Sequence, residues 1–162
     1  MKTINVLISC VGAQARPGYC YLLERYREFN VIAESGELYG SSVWVGLSHC
    51  DVLVIDEGVI DQYGFQALRS VIASYPRIKV LLIQENESQL RALTAVAQGI
   101  QGVMTQASSC DMLHKAVIAL YSGEAWVSRG LLPGIHMLLK FKHNNPSVDH
   151  PRGTNDSWAK LN

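Results

Sequence analysis

Five short apolar runs alternate with longer segments in which apolar residues recur at helical spacing. The runs are rich in Val, Ile and Leu, which is typical of parallel strands buried on both faces. They are Ile4–Ser9, Val31–Ala33, Val52–Ile55, Val80–Ile83 and Val103–Met104. The helical segments are residues 15–28, 39–47, 65–74, 87–98 and 109–122. Strand followed by helix, five times over, predicts a doubly wound α/β domain with a five-stranded parallel sheet over residues 1–125.

One extra amphipathic helix is predicted within residues 126–142. Pro133 fits its first turn, because a proline lacks the amide proton that deeper positions donate. An apolar stripe on such a helix is an association liability unless it is covered. We therefore expect either a homodimer interface or packing on helix one or five. The stripe consists of Leu131, Leu132, Ile135, Leu138 and Leu139.

Composition narrows the function classes. The chain has 162 residues and no net charge, so one domain is expected and no general electrostatic footprint points to nucleic acid. The first apolar run is too short for a signal peptide, and no stretch approaches a membrane span. A cytoplasmic protein without membrane contact is therefore expected. Residues 143–162 are rich in Asn, Pro, Gly and Ser, which predicts a flexible linker.

The site of a doubly wound sheet lies at the carboxyl ends of its strands. Asp56 ends the third apolar run and is therefore expected at that edge. Its position leaves two uses open, a functional carboxylate or the cap of a helix or loop. No pairing of a nucleophile with a base is visible in the sequence, so an enzyme is not expected.

Three segments resemble the receiver domains of LuxR/NarL-type response regulators. In the segment Asp51–Arg69, DVLVIDEGVIDQYGFQALR, Asp56 falls on the phosphorylated aspartate and Gly64 on the glycine that opens the third helix. The stretches Ala97–Gly102 and Gly123–Trp126 resemble the turns before strand five and after helix five. The resemblance spans residues 3–142. It implies a flavodoxin-like or CheY-like sheet with strand order 2-1-3-4-5.

The phosphorylation pocket implied by this resemblance is degenerate. Receivers hold Mg²⁺ through an acidic pair after strand one, and they use a Ser or Thr after strand four and a Lys after strand five. Mg²⁺ requires oxygen ligands, and phosphoryl transfer requires nearby positive charge. With no such residues and no evident cation, we expect neither Mg²⁺ nor any other metal, and Asp56 to stay unphosphorylated. The matching positions carry Cys10, Val11, Gln84 and Gln106.

The tetrapeptide Trp126–Arg129, WVSR, is similar to the ligand motif of VpsT-type regulators, which bind cyclic di-GMP at a dimer interface. An Arg pairs with phosphate and stacks on guanine, and a Ser hydroxyl donates to a phosphate oxygen. The resemblance implies Trp126, Ser128 and Arg129 as nucleotide ligands. Val127 is smaller than the Phe, Leu or Met that this subfamily carries at the same place. The alternative also stays open that Trp126 packs as a core residue and Arg129 caps a surface.

The final residues Trp158–Asn162 resemble the lead-in to a LuxR-type helix-turn-helix, which this sequence does not contain. The expected function is therefore the regulatory domain of a two-component-type transcription regulator. It would act without phosphorylation and control dimerisation and DNA binding of the missing helix-turn-helix. Two alternatives stay open: a stand-alone pseudo-receiver that binds other proteins, and a receiver that senses cyclic di-GMP.

Overall fold

The chain folds as a five-stranded parallel sheet whose strands, numbered along the chain, lie in the order 2-1-3-4-5, which confirms the predicted fold class and order. The computed structural model describes residues 3–12, 15–38, 40–108 and 110–144. The strands are β1 (Ile4–Ser9), β2 (Phe29–Ser35), β3 (Val52–Asp56), β4 (Lys79–Gln84) and β5 (Gly102–Thr105).

Helices follow the strands and cover both faces of the sheet. They are α1 (Ala15–Glu24), α2 (Ser41–Leu47), α3 (Glu57–Ser74), α4 (Gln89–Ala97), α5 (Cys110–Tyr121) and α6 (Leu132–Asn144), the last preceded by a 3-10 turn at Arg129–Leu131. Helix α3 begins at Glu57 rather than at residue 65, because Asp56 caps it there. Gly64, with φ 76°, divides it at a kink. Only a glycine adopts this backbone conformation readily. The part of α3 after Gly64 therefore begins at residue 65, where the sequence predicted the start of the helix.

Two cores flank the sheet, as the continuous apolar runs predicted. Along β1, Val6 and Ile8 point into the core that α1 and α5 cover. Leu7 points into the opposite core, which α2, α3 and α4 cover. All three side chains are fully buried. Burial on both faces explains why the strands carry no alternating polar positions.

Helix α6 packs on α4, not on helix one or five as expected. Leu131 is only 4% exposed and belongs to the core on the α4 side, and Ile135 packs against the same core. Gly134 permits the close approach, since a Cβ there would lie 2.6 Å from Cδ1 of Leu93. Leu131 and Ile135 were predicted as dimer contacts. Leu131 is buried within the chain and so contributes little to an outer surface, whereas Ile135 is only partly buried.

The rest of the predicted stripe stays accessible. Leu132 and Leu139 are 53% and 63% exposed, and Leu138 is half-buried. Helix α6 continues through Asn144, two residues into the predicted linker. The remainder of that linker, including Trp158–Asn162, lies outside the described residues. Of the helices described, none combines the length and apolarity needed to cross a membrane.

Candidate functional site

Asp56 lies at the carboxyl edge of the sheet, where its carboxylate anchors two separate parts of the backbone. Oδ1 accepts hydrogen bonds from the amides of Val59, at 3.0 Å, and Val11, at 3.2 Å. Oδ2 accepts one from the amide of Gly12, also at 3.2 Å. The bond from Val59 is the side-chain cap of α3. Asp56 therefore serves as a cap, one of the two uses that the sequence left open, and it also fixes the loop after β1.

The two residues in place of an acidic pair offer no carboxylate or hydroxyl oxygen. Cys10 is fully buried, and burial raises the pKa of its thiol, with the nearby Asp56 charge adding to the effect. Val11 contributes its amide to Asp56 and exposes 38% of its surface. Mg²⁺ needs several oxygen ligands in near-octahedral geometry. The side chains at these two positions therefore do not fit this ion, because neither supplies an oxygen ligand.

The two glutamines lie on neighbouring strand ends, joined by a 2.7 Å hydrogen bond from the Gln106 amide to the Gln84 carbonyl. The Gln84 side chain is buried and donates to the Ser88 carbonyl, at 3.2 Å, and to Glu57, at 3.4 Å. The exposed Gln106 side chain donates to the Tyr19 hydroxyl at 3.5 Å. The structure thus places these two positions side by side, and neither supplies a positive charge.

A cation that the sequence analysis missed, Arg91, also lines this edge. Its Nε lies 3.0 Å from Glu57, and its Nη2 lies 2.6 Å from Asp61. The hydrogen bond to Asp61 raises the pKa of Arg91. Glu57 is further held by the amide of Glu85, at 2.9 Å. Arg91 therefore forms ion pairs with Glu57 and Asp61 and not with Asp56.

The cavity above Asp56, about 560 Å³, is strongly acidic. Arg91 is the one basic side chain among the described residues that line it. A phosphoryl group carries further negative charge, which such a surface repels. Across the described residues, no three His, Cys, Asp or Glu side chains converge as a metal site. The acidic residues are Asp56, Glu57, Asp61, Glu85 and Glu87.

The segment WVSR lies beside β5, where Trp126 pairs with the edge of the sheet. The Trp126 carbonyl accepts from the Val103 amide at 2.7 Å, and its amide donates to the Gln101 carbonyl at 3.1 Å. Its ring packs against the core under α1 and α5, whereas Val127 packs into the opposite core. Ser128 and Arg129 are exposed. Trp126 is thus largely structural, and the two polar residues of the motif face outward.

Comparisons with known proteins agree with this fold. The transcriptional regulatory protein DegU of Brevibacillus brevis is 25% identical over 112 residues, which cover 69% of this chain and 48% of DegU. A LuxR-family response regulator from an Aurantimonas species superposes with a TM-score of 0.72 at 22% identity, over 84% of this chain and 97% of its own.

The receiver domain of RcsB from Salmonella enterica serovar Typhimurium, solved with the phosphomimetic BeF₃⁻, has a TM-score of 0.68 at 19% identity. The match covers 82% of this chain and 98% of that one. No protein-family model matches the sequence. The chain spans about half the length of DegU.

Proposed function

We propose that this chain is a receiver domain of the LuxR/NarL type whose output does not depend on phosphorylation of Asp56. The motifs, the fold and the similarity to DegU support the receiver assignment. The main support for phosphorylation independence is that both carboxylate oxygens of Asp56 accept hydrogen bonds from backbone amides, those of Val11, Gly12 and Val59. Phosphorylation would convert the carboxylate to an acyl phosphate, in which one oxygen bridges to phosphorus and the other becomes a neutral carbonyl, so the hydrogen bonds from the three amides would weaken. Among the described residues that line the cavity above Asp56, the one cation, Arg91, is paired with Glu57 and Asp61, so modification would cost stability without forming a new ion pair.

For the whole protein, we propose a transcription regulator in which this domain controls a DNA-binding helix-turn-helix beyond Asn162. Two relatives support the proposal: DegU is a transcriptional regulatory protein, and RcsB has been solved as dimers bound to DNA. The alternative is a stand-alone pseudo-receiver that binds other proteins. The reading frame after Asn162 distinguishes the two, because a helix-turn-helix pattern there supports the regulator and an immediate stop codon supports the alternative.

We further propose that the exposed flank of α6 forms a homodimer. Leu132 and Leu139 lie two helical turns apart on the same side, away from the contact with α4. Met137 and Phe141, at 73% and 58% exposed, lie on the opposite flank of the helix and are not part of this surface. Apolar area of this kind on one short helix favours association with a second copy.

Light scattering tests the dimer. We expect the wild-type chain to show twice its 17.9 kDa mass at high micromolar concentration, and the double substitution Leu132→Glu with Leu139→Glu to give a monomer. Two carboxylates would be buried without partners at the interface, which is strongly unfavourable. Val45→Glu is the matched control, since Val45 is 68% exposed on α2, and it should stay dimeric. A wild-type monomer would remove the proposal.

Cyclic di-GMP is a second candidate input, favoured by the outward placement of Ser128 and Arg129. Neither side chain has a hydrogen-bond or ion-pair partner among the described residues, so both can meet a phosphate. Calorimetric titration should give saturable heat that Arg129→Ala abolishes and Arg77→Ala, at another exposed arginine, leaves unchanged. Flat heats at high micromolar nucleotide would exclude this ligand.

A further inference from the structure

A second cavity lies on the far side of Gln84 from Asp56, between α4, β5 and the segment that leads into α6. Its volume is about 270 Å³. The floor is buried and largely apolar, whereas the rim is exposed and polar. The floor includes Ala92 on α4, Val103 on β5 and Leu131 before α6. The rim includes Glu87, Gln89 and Ser128.

The apolar part of the walls favours a flat ring system. Trp126, Met104 and Met112 line the cavity together with the floor residues. Aromatic rings pack well against an indole, and methionine sulfur makes favourable contacts with ring edges. An apolar cavity of about 150 Å³ holds one benzene molecule. The present cleft, at about 270 Å³, is larger and has room for two fused rings.

The charge around the mouth selects against anions. Glu87 is the one charged side chain among the described residues that line the cavity. Within the same part of the chain, the side chains of Glu87, Gln89 and Ser128 have no hydrogen-bond partner. They can therefore receive or donate hydrogen bonds at the rim. A phosphate or carboxylate seated inside the cavity would meet Glu87, and the described residues that line the cavity include no lysine or arginine to balance it.

We propose that this cavity is a binding site for a small bicyclic heteroaromatic molecule that is uncharged or cationic. The site goes beyond the proposed function and does not depend on it, because Asp56 is not among the residues that line the cavity. A ligand seated there would contact α4, β5 and Leu131 at once. Its binding would therefore stabilise the docked position of α6.

Three probes with the same ring system test the site: tryptamine, indole and indole-3-acetate. Amide chemical shifts of the labelled protein are followed as each probe is added. We expect tryptamine to give saturable shifts at Val103, Thr105 and Leu131, with a dissociation constant on the order of 0.1–1 mM for so small a ligand. Indole should bind more weakly, and indole-3-acetate about tenfold more weakly than tryptamine. Glu87→Gln should remove most of the advantage of tryptamine over indole.

Val103→Phe fills the floor of the cavity and should reduce tryptamine binding at least about tenfold. Val45→Phe makes the same change on the exposed face of α2 and should leave binding unchanged. Should Val103→Phe not fold, Gln89→Trp obstructs the mouth from an exposed position that tolerates a large side chain. The proposal is overturned by any of three results: no saturable shifts, equal binding by the obstructed and control variants, or indole-3-acetate binding as tightly as tryptamine.

Discussion

Asp56→Ala is expected to lower the free energy of unfolding by about 2–3 kcal/mol. Loss of a helix cap costs about 1 kcal/mol, and the two further hydrogen bonds to a charged acceptor supply the rest. The substitution leaves the amides of Val11, Gly12 and Val59 without their acceptor. Asp56→Asn keeps one side-chain oxygen, which can still accept hydrogen bonds from the amides of Val11 and Val59. It should therefore lower the free energy of unfolding by about half as much. Urea unfolding followed by circular dichroism gives both values.

Glu85→Gln is the matched control for this experiment. Glu85 is an exposed carboxylate at the same edge, and its side chain has no hydrogen bond among the described residues. Its neutralisation should change stability by less than about 0.5 kcal/mol. If the Asp56 carboxylate did not anchor the backbone, Asp56→Ala would leave the free energy of unfolding unchanged or raise it, and would not destabilise the chain more than Glu85→Gln. That outcome would contradict the anchoring role of the carboxylate.

Leu131→Ala is expected to destabilise the chain by about 2–4 kcal/mol, the usual cost of emptying a buried leucine site. Leu131 is 4% exposed and joins the 3-10 turn before α6 to the core under α4. Leu139→Ala makes the same change on the same segment at a position 63% exposed, and it should cost less than about 0.5 kcal/mol in the monomer.

Hydrogen exchange supplements the unfolding measurement, since the turn and α6 can open without the sheet. The amides of α6 should exchange faster in Leu131→Ala than in Leu139→Ala. Equal stability and equal exchange in the two variants would show that α6 is not docked on α4, and the cavity proposed beside it would lose one of its walls.

The sheet was predictable because parallel strands buried on both faces leave continuous apolar runs in the sequence. The exact face of α4 was not predictable. Its buried residues are Ala92 and Ala95, whereas Leu93 lies under α6 and Leu90 is 77% exposed. Helical spacing alone favours the leucines as the core face. The contact with α6 depends on a partner helix about 40 residues away, which local periodicity does not identify.

The site was predictable only in part, for the same reason. The hydrogen bond from the Val59 amide to Asp56 is local, and the sequence predicted a helix cap as one of two possible roles of the aspartate. The bonds from Val11 and Gly12 cross 45 and 44 residues of sequence. The ion pairs of Arg91 are similarly distant, with 30 residues between Arg91 and Asp61. Such pairings follow from the fold and leave no short motif behind.

The most direct test of phosphorylation independence is the intact mass of the chain after incubation with acetyl phosphate and Mg²⁺. Asp56→Asn is treated in parallel, so that modification elsewhere is recognised. We predict no gain of a phosphoryl group in either protein, because Asp56 is held by three backbone amides and faces no free cation among the described residues. A stoichiometric phosphoryl adduct on the wild-type chain, mapped to Asp56 and absent from Asp56→Asn, would contradict the account.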